Sequence, residues 1–224
     1  MIKAIIFDLD DTLYPEHHYT GSGFRAVALY VADRCGVSAH WVEQMLWLEH
    51  HRNPKGVFDR FLDSLECRNL STQDLVECYR NHLPDIVLDN EVRVLLLELR
   101  SRYRLGVVSD GWLTVQQNKV RSLGLETLMD CVCFTDQWGR EFWKPHQRGF
   151  RHVLETLGVL ATEACYVADN PLKDFIAPNQ LGMYSVLVLR PGSVYFGSSA
   201  AEGGEPQATI RSLADLRRLL ETWS

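Results

Sequence analysis

The hydrophobic positions of this chain fall into two regimes, strand-and-helix alternation over most of its length and a purely helical stretch near the start. The run Ile2-Lys3-Ala4-Ile5-Ile6-Phe7 is short, apolar and bounded, which predicts a strand covered on both faces of a sheet. Between residues 92 and 183 helical and strand signals alternate. Val92, Leu95, Leu96 and Leu99 recur at helical spacing behind a cap at Asp89 or Asn90, and 105–109 reads as a strand. Leu113, Gln116, Val120 and Leu123 mark the next helix, which Gly124 ends. Residues 131–135 read as a strand, and Phe150, Val153, Leu154 and Leu157 as a helix closed by Gly158. Then come a strand at 165–168, a helix at 172–181 and a strand at 185–189. Such alternation predicts a parallel sheet with helices on both faces, joined by right-handed crossovers.

From residue 14 to about 84 the strand signals vanish. Phe24, Val27, Val31 and Cys35 form one helical stripe, Val42, Met45 and Leu46 a second, and Val57, Phe58, Phe61, Leu62 and Leu65 a third. Ser71 with Asp74 makes a capping box ahead of Leu75, Val76 and Tyr79. The expected fold is therefore α/β: a Rossmann-like core of residues 1–14 and 86–224, interrupted by a helical bundle over 15–85. Residues 191–206, rich in Gly and Ser, read as a long surface excursion, and 213–220 as a terminal helix.

The first strand stops at two aspartates. Side chains alternate along a strand, so Asp8 and Asp10 point one way and Leu9 the other. Two such carboxylates repel, and are tolerable only with a cation, a shared proton or a phosphate chemistry between them. Ligands of parallel sheets sit beyond the strands' carboxyl ends, where these residues fall. The formal net charge of −6 argues against a nucleic-acid backbone or an anionic membrane as partner. No apolar run approaches the roughly 20 residues that span a bilayer. The six cysteines form no CxxC pair and read as ordinary buried thiols, Cys131 and Cys133 sharing one side of their strand. With no signal segment before the first strand, the expectation is a reduced, cytoplasmic protein.

Four short motifs in order carry a resemblance: Asp8-Leu9-Asp10-Asp11-Thr12; Ser109 ending an apolar strand ahead of Asp110-Gly111; Lys144-Pro145; and the acidic pair Asp169 and Asp174 after another strand. In these the chain resembles the haloacid dehalogenase-like superfamily of phosphohydrolases. One position departs from the family's pattern, Ala168 standing where Gly usually precedes the first acid of the fourth motif. The resemblance implies that the helical insertion is a cap over the site. It further implies that Asp8 is a nucleophile forming an aspartyl-phosphate, and that Asp10 is the acid and later the base. Mg²⁺ would be held by Asp8, the Asp10 backbone carbonyl and Asp169. Ser109, the amide that follows at Asp110, and Lys144 would bind phosphate, with Asp174 and Thr12 supporting them. Asp11 reads as a solvated turn residue.

Candidates to contact the rest of the substrate are Trp47 and Arg52 in the cap, and Trp112 after the second motif. The expected activity is Mg²⁺-dependent hydrolysis of a small phosphorylated metabolite, with sugar phosphates first and nucleoside monophosphates second, by a monomer or homodimer. A phosphomutase would use the same residues, and a non-enzymatic phosphate-ligand binding protein would keep the scaffold. Dehalogenation releases a halide that needs no proton, and Asp10 counts against it.

Overall fold

The computed structural model describes residues 1–67 and 69–223. The chain divides into two compact units, Met1–Glu16 with Val87–Ser224, and His17–Ile86.

The larger unit is built on a six-stranded parallel sheet in the order β3-β2-β1-β4-β5-β6. Its strands are β1 (Ala4–Phe7), β2 (Arg104–Ser109), β3 (Cys131–Phe134), β4 (Ala164–Ala168), β5 (Tyr184–Val188) and β6 (Ala208–Ile210). The helices of this unit are α5 (Asn90–Arg100), α6 (Leu113–Ser122), α7 (Arg148–Leu157), α8 (Ile176–Leu181) and α9 (Leu216–Thr222). Ala4 and Ile6 of the central strand pack in a cluster with Phe150 and Val153 of α7 and Ala177 of α8. Ile5 and Phe7 point to the opposite face by strand alternation and are equally buried, so both faces of β1 are covered. Gly106, opposite Ile6, lets α7 close on the sheet, because a Cβ there would meet Val153 Cγ1 at 2.8 Å.

Three elements differ from the sequence expectation. The helix expected over 172–181 begins only at Ile176, after a run of turns. Pro178 lacks an amide hydrogen and is tolerated in a helix's first turn, which sets the start. The strand β6 went unforeseen, since three residues after a Gly-rich stretch carry no periodicity. The terminal helix opens with a short 3₁₀ turn, Leu213–Asp215, before α9.

The smaller unit is a bundle of α1 (Glu16–Cys35), α2 (Ala39–Arg52), α3 (Val57–Asp63) and α4 (Thr72–Asn81), packed on Phe24, Val27, Val42, Leu46, Phe61 and Leu75. The Ser71–Asp74 capping box forms as expected. Cys35 and Cys67 are joined in a disulfide with Cα atoms 5.8 Å apart, which corrects the reading of six free thiols. Nothing local foretells it, because the bundle brings together cysteines 32 residues apart. Cys131 and Cys133, as expected, are buried thiols.

Two glycines in the middle of α1 are costly to a helix, and one of them has a steric reason. A Cβ on Gly23 would lie 2.3 Å from Tyr79 Cε2 of α4. Gly23→Ala should therefore destabilise the bundle by about 1–3 kcal/mol, the overpacking outweighing the roughly 1 kcal/mol of helix propensity that Ala adds. Urea unfolding of the variant reads the sign, and a stabilised protein would show that Tyr79 gives way freely.

Candidate active site

Three adjacent strands of the larger unit end on chemistry. β1 runs into Asp8, whose amide still donates to Val167 O at 2.9 Å and so keeps the sheet's register. β2 closes on Ser109, and β4 runs into Asp169. Lys144 arrives from the segment between β3 and α7, and Asp174 from the turns after β4. These side chains are buried. Lys144 Nζ stands 2.5 Å from Asp8 Oδ1, 2.8 Å from Asp174 Oδ1 and 3.1 Å from the Tyr166 hydroxyl. Asp8, Lys144, Asp169 and Asp174 line a cavity of about 180 Å³.

Asp8, Asp169 and Asp174 each offer an oxygen within 4.8 Å of the others. Burial pushes the Asp8 carboxyl up to about 7 against the pull of Lys144. Burial, then the charges of Asp8 and Asp174, push Asp169 up to about 9. Burial opposes the Lys144 charge, yet Asp174 and Asp8 hold its ammonium well above the ordinary lysine range. One oxygen of Asp169, Oδ2, is buried without a partner among the described residues, and Oδ1 receives only a 3.4 Å bond from Thr12 Oγ1. Three buried carboxyl groups around one ammonium would leave excess negative charge if all were ionised, which is why two of them are held toward the protonated form, and one acceptor is orphaned. An oxygen-seeking divalent cation fits such a donor set.

The Asp10 carboxylate lines the same cavity but turns to other partners. Lys119 Nζ reaches Oδ1 at 2.7 Å, the Tyr14 hydroxyl reaches Oδ1 at 2.5 Å, and Gln116 Nε2 reaches Oδ2 at 2.8 Å. Gln116 Nε2 also lies 2.7 Å from Ser109 Oγ, linking the first motif to the second. Burial opposes ionisation of Asp10, but the Lys119 charge and these hydrogen bonds win and hold it below the usual carboxylate range. The Asp10 charge, helped by burial, pushes Glu16 up to about 7. Tyr14, Gln116 and Lys119 were not singled out as site residues from the sequence. The signal was Gln116 on the apolar stripe of α6, where a polar side chain needs a partner; Lys119 lies one turn further on.

The family model for haloacid dehalogenase-like hydrolases matches residues 5–188. The chain belongs to that family. It is 30% identical over 203 residues to the glyceraldehyde 3-phosphate phosphatase of Methanocaldococcus jannaschii, covering 85% of this chain and 86% of that one. It is 28% identical to the ribulose-1,5-bisphosphate 5-phosphatase of Halopiger xanaduensis, covering 94% and 93%. Among solved structures, a haloacid dehalogenase-like phosphatase from Thermococcus onnurineus superposes with a TM-score of 0.62 at 25% identity, over 98% of both chains. With such relatives, the chain is a phosphatase of the haloacid dehalogenase-like family.

One residue of this haloacid dehalogenase-like hydrolase behaves otherwise than the sequence suggests, and two more gain a clear local account. Asp11 is not solvated. It is buried, with φ 52°, a conformation that Asp tolerates better than most residues. Its carboxylate accepts from the amides of Glu16 at 2.8 Å and Val194 at 3.2 Å. The Asp110 side chain is occupied by Thr135 Oγ1 at 2.8 Å, Lys144 N at 3.1 Å and Lys173 Nζ at 2.6 Å. It braces the Lys144 loop, which leaves its backbone amide as the group able to serve a phosphate. Ala168 sits within β4, and Asp11 is the non-glycine residue with positive φ among those described, so Ala replaces Gly there without backbone strain.

The three aromatic and cationic specificity candidates lie apart in the chain. Trp112 is 43% exposed, with the Arg140 guanidinium 4.1 Å above its ring. Within the bundle, Trp47 packs edge-on to Phe24 with ring centroids 5.0 Å apart, and Arg52 pairs with Glu49 at 2.8 Å.

Proposed function

We propose that this phosphatase hydrolyses the monoester of a short phosphorylated sugar, with Asp8 as nucleophile. The carrying observation is Asp8 at a strand end, in hydrogen-bond reach of Lys144 and beside Asp169 and Asp174, all lining one small cavity. The named substrates of the Methanocaldococcus and Halopiger relatives, a triose phosphate and a pentulose bisphosphate, support the sugar class.

Asp8 attacks phosphorus and the ester oxygen leaves, giving an aspartyl-phosphate that water then cleaves. Ser109 Oγ, the Asp110 amide and the Lys144 ammonium bind the phosphoryl oxygens, Lys144 by charge. Asp174 holds Lys144 in place through their 2.8 Å ion pair. Asp10 gives the leaving oxygen its proton and takes one from the attacking water. Asp8, Asp169 and the Asp10 carbonyl would hold Mg²⁺, with Thr12 steadying Asp169. Bound magnesium would neutralise charge so that a carboxylate can approach an anionic phosphate. The protein would act in the cytoplasm, where the Cys35–Cys67 pair would be kept reduced. The bundle would serve as the cap, with Trp47 and Arg52 facing the substrate's far end.

Removing divalent cations with a chelator should abolish turnover, and Mg²⁺ should restore it. Full activity in chelator would overturn the metal assignment. The test of the function is phosphate release in Mg²⁺ from triose, tetrose and pentose phosphates against nucleoside monophosphates. Sugar phosphates should lead by at least about tenfold in kcat/KM, roughly 1.4 kcal/mol of preference. A reversed ranking would install the nucleotidase reading, and transfer of the phosphoryl group to a second sugar in place of water would install the mutase.

A further inference from the structure

The segment between β5 and β6 was expected to be a surface excursion, and it is fastened to the site. It leaves the carboxyl end of β5, the end of the sheet at which the catalytic motifs lie. Arg190 Nη2 donates to Thr12 O at 3.0 Å and Val194 N to Asp11 Oδ2 at 3.2 Å, tying it to the first motif. Ala201 N donates to Pro171 O at 3.1 Å, tying it to the fourth. Gly192 and Gly197, with φ of 86° and 82°, bracket its tip, and Ser198 N bonds Tyr195 O at 3.0 Å, so the tip is a defined series of turns. Tyr195 at that tip lines the catalytic cavity together with Asp8, Asp10, Lys144 and Asp169. Its ring is half-buried, and its hydroxyl bonds no described residue.

A hydroxyl on a residue lining a polar cavity, without a protein partner, is available to a ligand. The cavity, about 180 Å³, is smaller than the roughly 300 Å³ at which drug-sized sites begin. A phosphoryl group bound by Lys144 would share this small cavity with Tyr195, which favours contacts from Tyr195 to atoms near the phosphate. We infer that Tyr195 hydrogen-bonds a hydroxyl of the substrate close to its phosphate, and so makes this phosphatase selective for hydroxylated alkyl phosphates. Asp11 acts through it as a positioning residue, holding the tip by the Val194 amide. This inference rests on the phosphatase reading and adds a specificity residue that none of the four motifs contains.

The experiment is Tyr195→Phe, assayed with Mg²⁺ on glycerol phosphate and on two hydroxyl-free esters, n-propyl and 4-nitrophenyl phosphate. Losing one neutral hydrogen bond should lower kcat/KM on glycerol phosphate by about three- to tenfold. The hydroxyl-free esters should keep their rates within about twofold of the wild type. Asp11→Asn supplies the second variant. Asn suits the same positive φ, but its amide offers one acceptor where two amide donors need accepting. It should shift selectivity in the same direction as Tyr195→Phe. Equal losses on all three esters, or none on glycerol phosphate, would overturn the role of Tyr195 and leave the phosphatase standing. A wild type that releases phosphate from none of them would overturn the phosphatase reading itself, and this inference with it.

Discussion

Asp8→Asn should reduce turnover to background and leave no labelled phosphoenzyme after a rapid quench. An amide is isosteric with the carboxylate but lacks the anionic oxygen that attacks phosphorus, so the first of the two chemical steps has no nucleophile. Stability should move the other way. The Asp8 carboxyl is held above its unfolded value, from 3.8 to about 7, so its ionisation costs folding free energy as pH rises through that window. Asn never ionises and removes that cost, while Lys144 keeps Asp174 at 2.8 Å. Above pH 7 and without divalent cations, the variant should be as stable as the wild type or more so, by on the order of 1–4 kcal/mol. Below about pH 4, where Asp8 is protonated folded and unfolded alike, the advantage should disappear. An inactive variant that is also less stable at neutral pH would mean that Asp8 works as a structural ion-pair partner of Lys144.

The parts of this molecule that were legible in the sequence share a physical reason. A parallel strand covered on both faces must be an apolar run, and a polar residue that ends such a run announces the edge where ligands bind. Asp8, Ser109 and Asp169 were all readable in that way. Residues that reach the site from helix sides or from loops send no such signal. Lys119 looks like one more cation on a helix surface, and only its burial against Asp10 reveals its role. Asp11 looks like a turn residue, because its two amide donors come from Glu16 and from Val194, which is 183 positions away. Tyr195 was hidden in a Gly- and Ser-rich stretch that composition assigns to solvent. α8 starts at Ile176 and not at 172 because Pro178, lacking an amide hydrogen, fits a helix's first turn, a constraint stronger than apolar spacing.

Asp10→Asn should keep the nucleophile and lose the proton donor and base, a defect of about 10²–10⁴-fold that depends on the leaving group. Asn keeps part of the surrounding frame, its carbonyl accepting from Lys119 and Tyr14 as Oδ1 does now, while its amide nitrogen cannot accept the bond Gln116 gives to Oδ2. In the structure Lys119 holds Asp10 ionised, which readies it to take a proton from water. To act first as an acid it must gain a proton, and the negative charge of an arriving phosphate raises a neighbouring carboxyl in that direction. An alkyl ester needs that proton, because an alkoxide is a poor leaving group, so its first step should slow most. An aryl ester leaves as a phenolate without help and should phosphorylate Asp8 at close to the normal rate. The water step then lacks its base, dephosphorylation becomes limiting, and labelled phosphoenzyme should build up with the aryl substrate and not with the alkyl one. Rapid quench with both labelled esters separates the steps. Equal defects for the two leaving groups, with no accumulation from the aryl ester, would mean that Asp10 serves only to hold Lys119 and Gln116 in place and that the proton travels by another route.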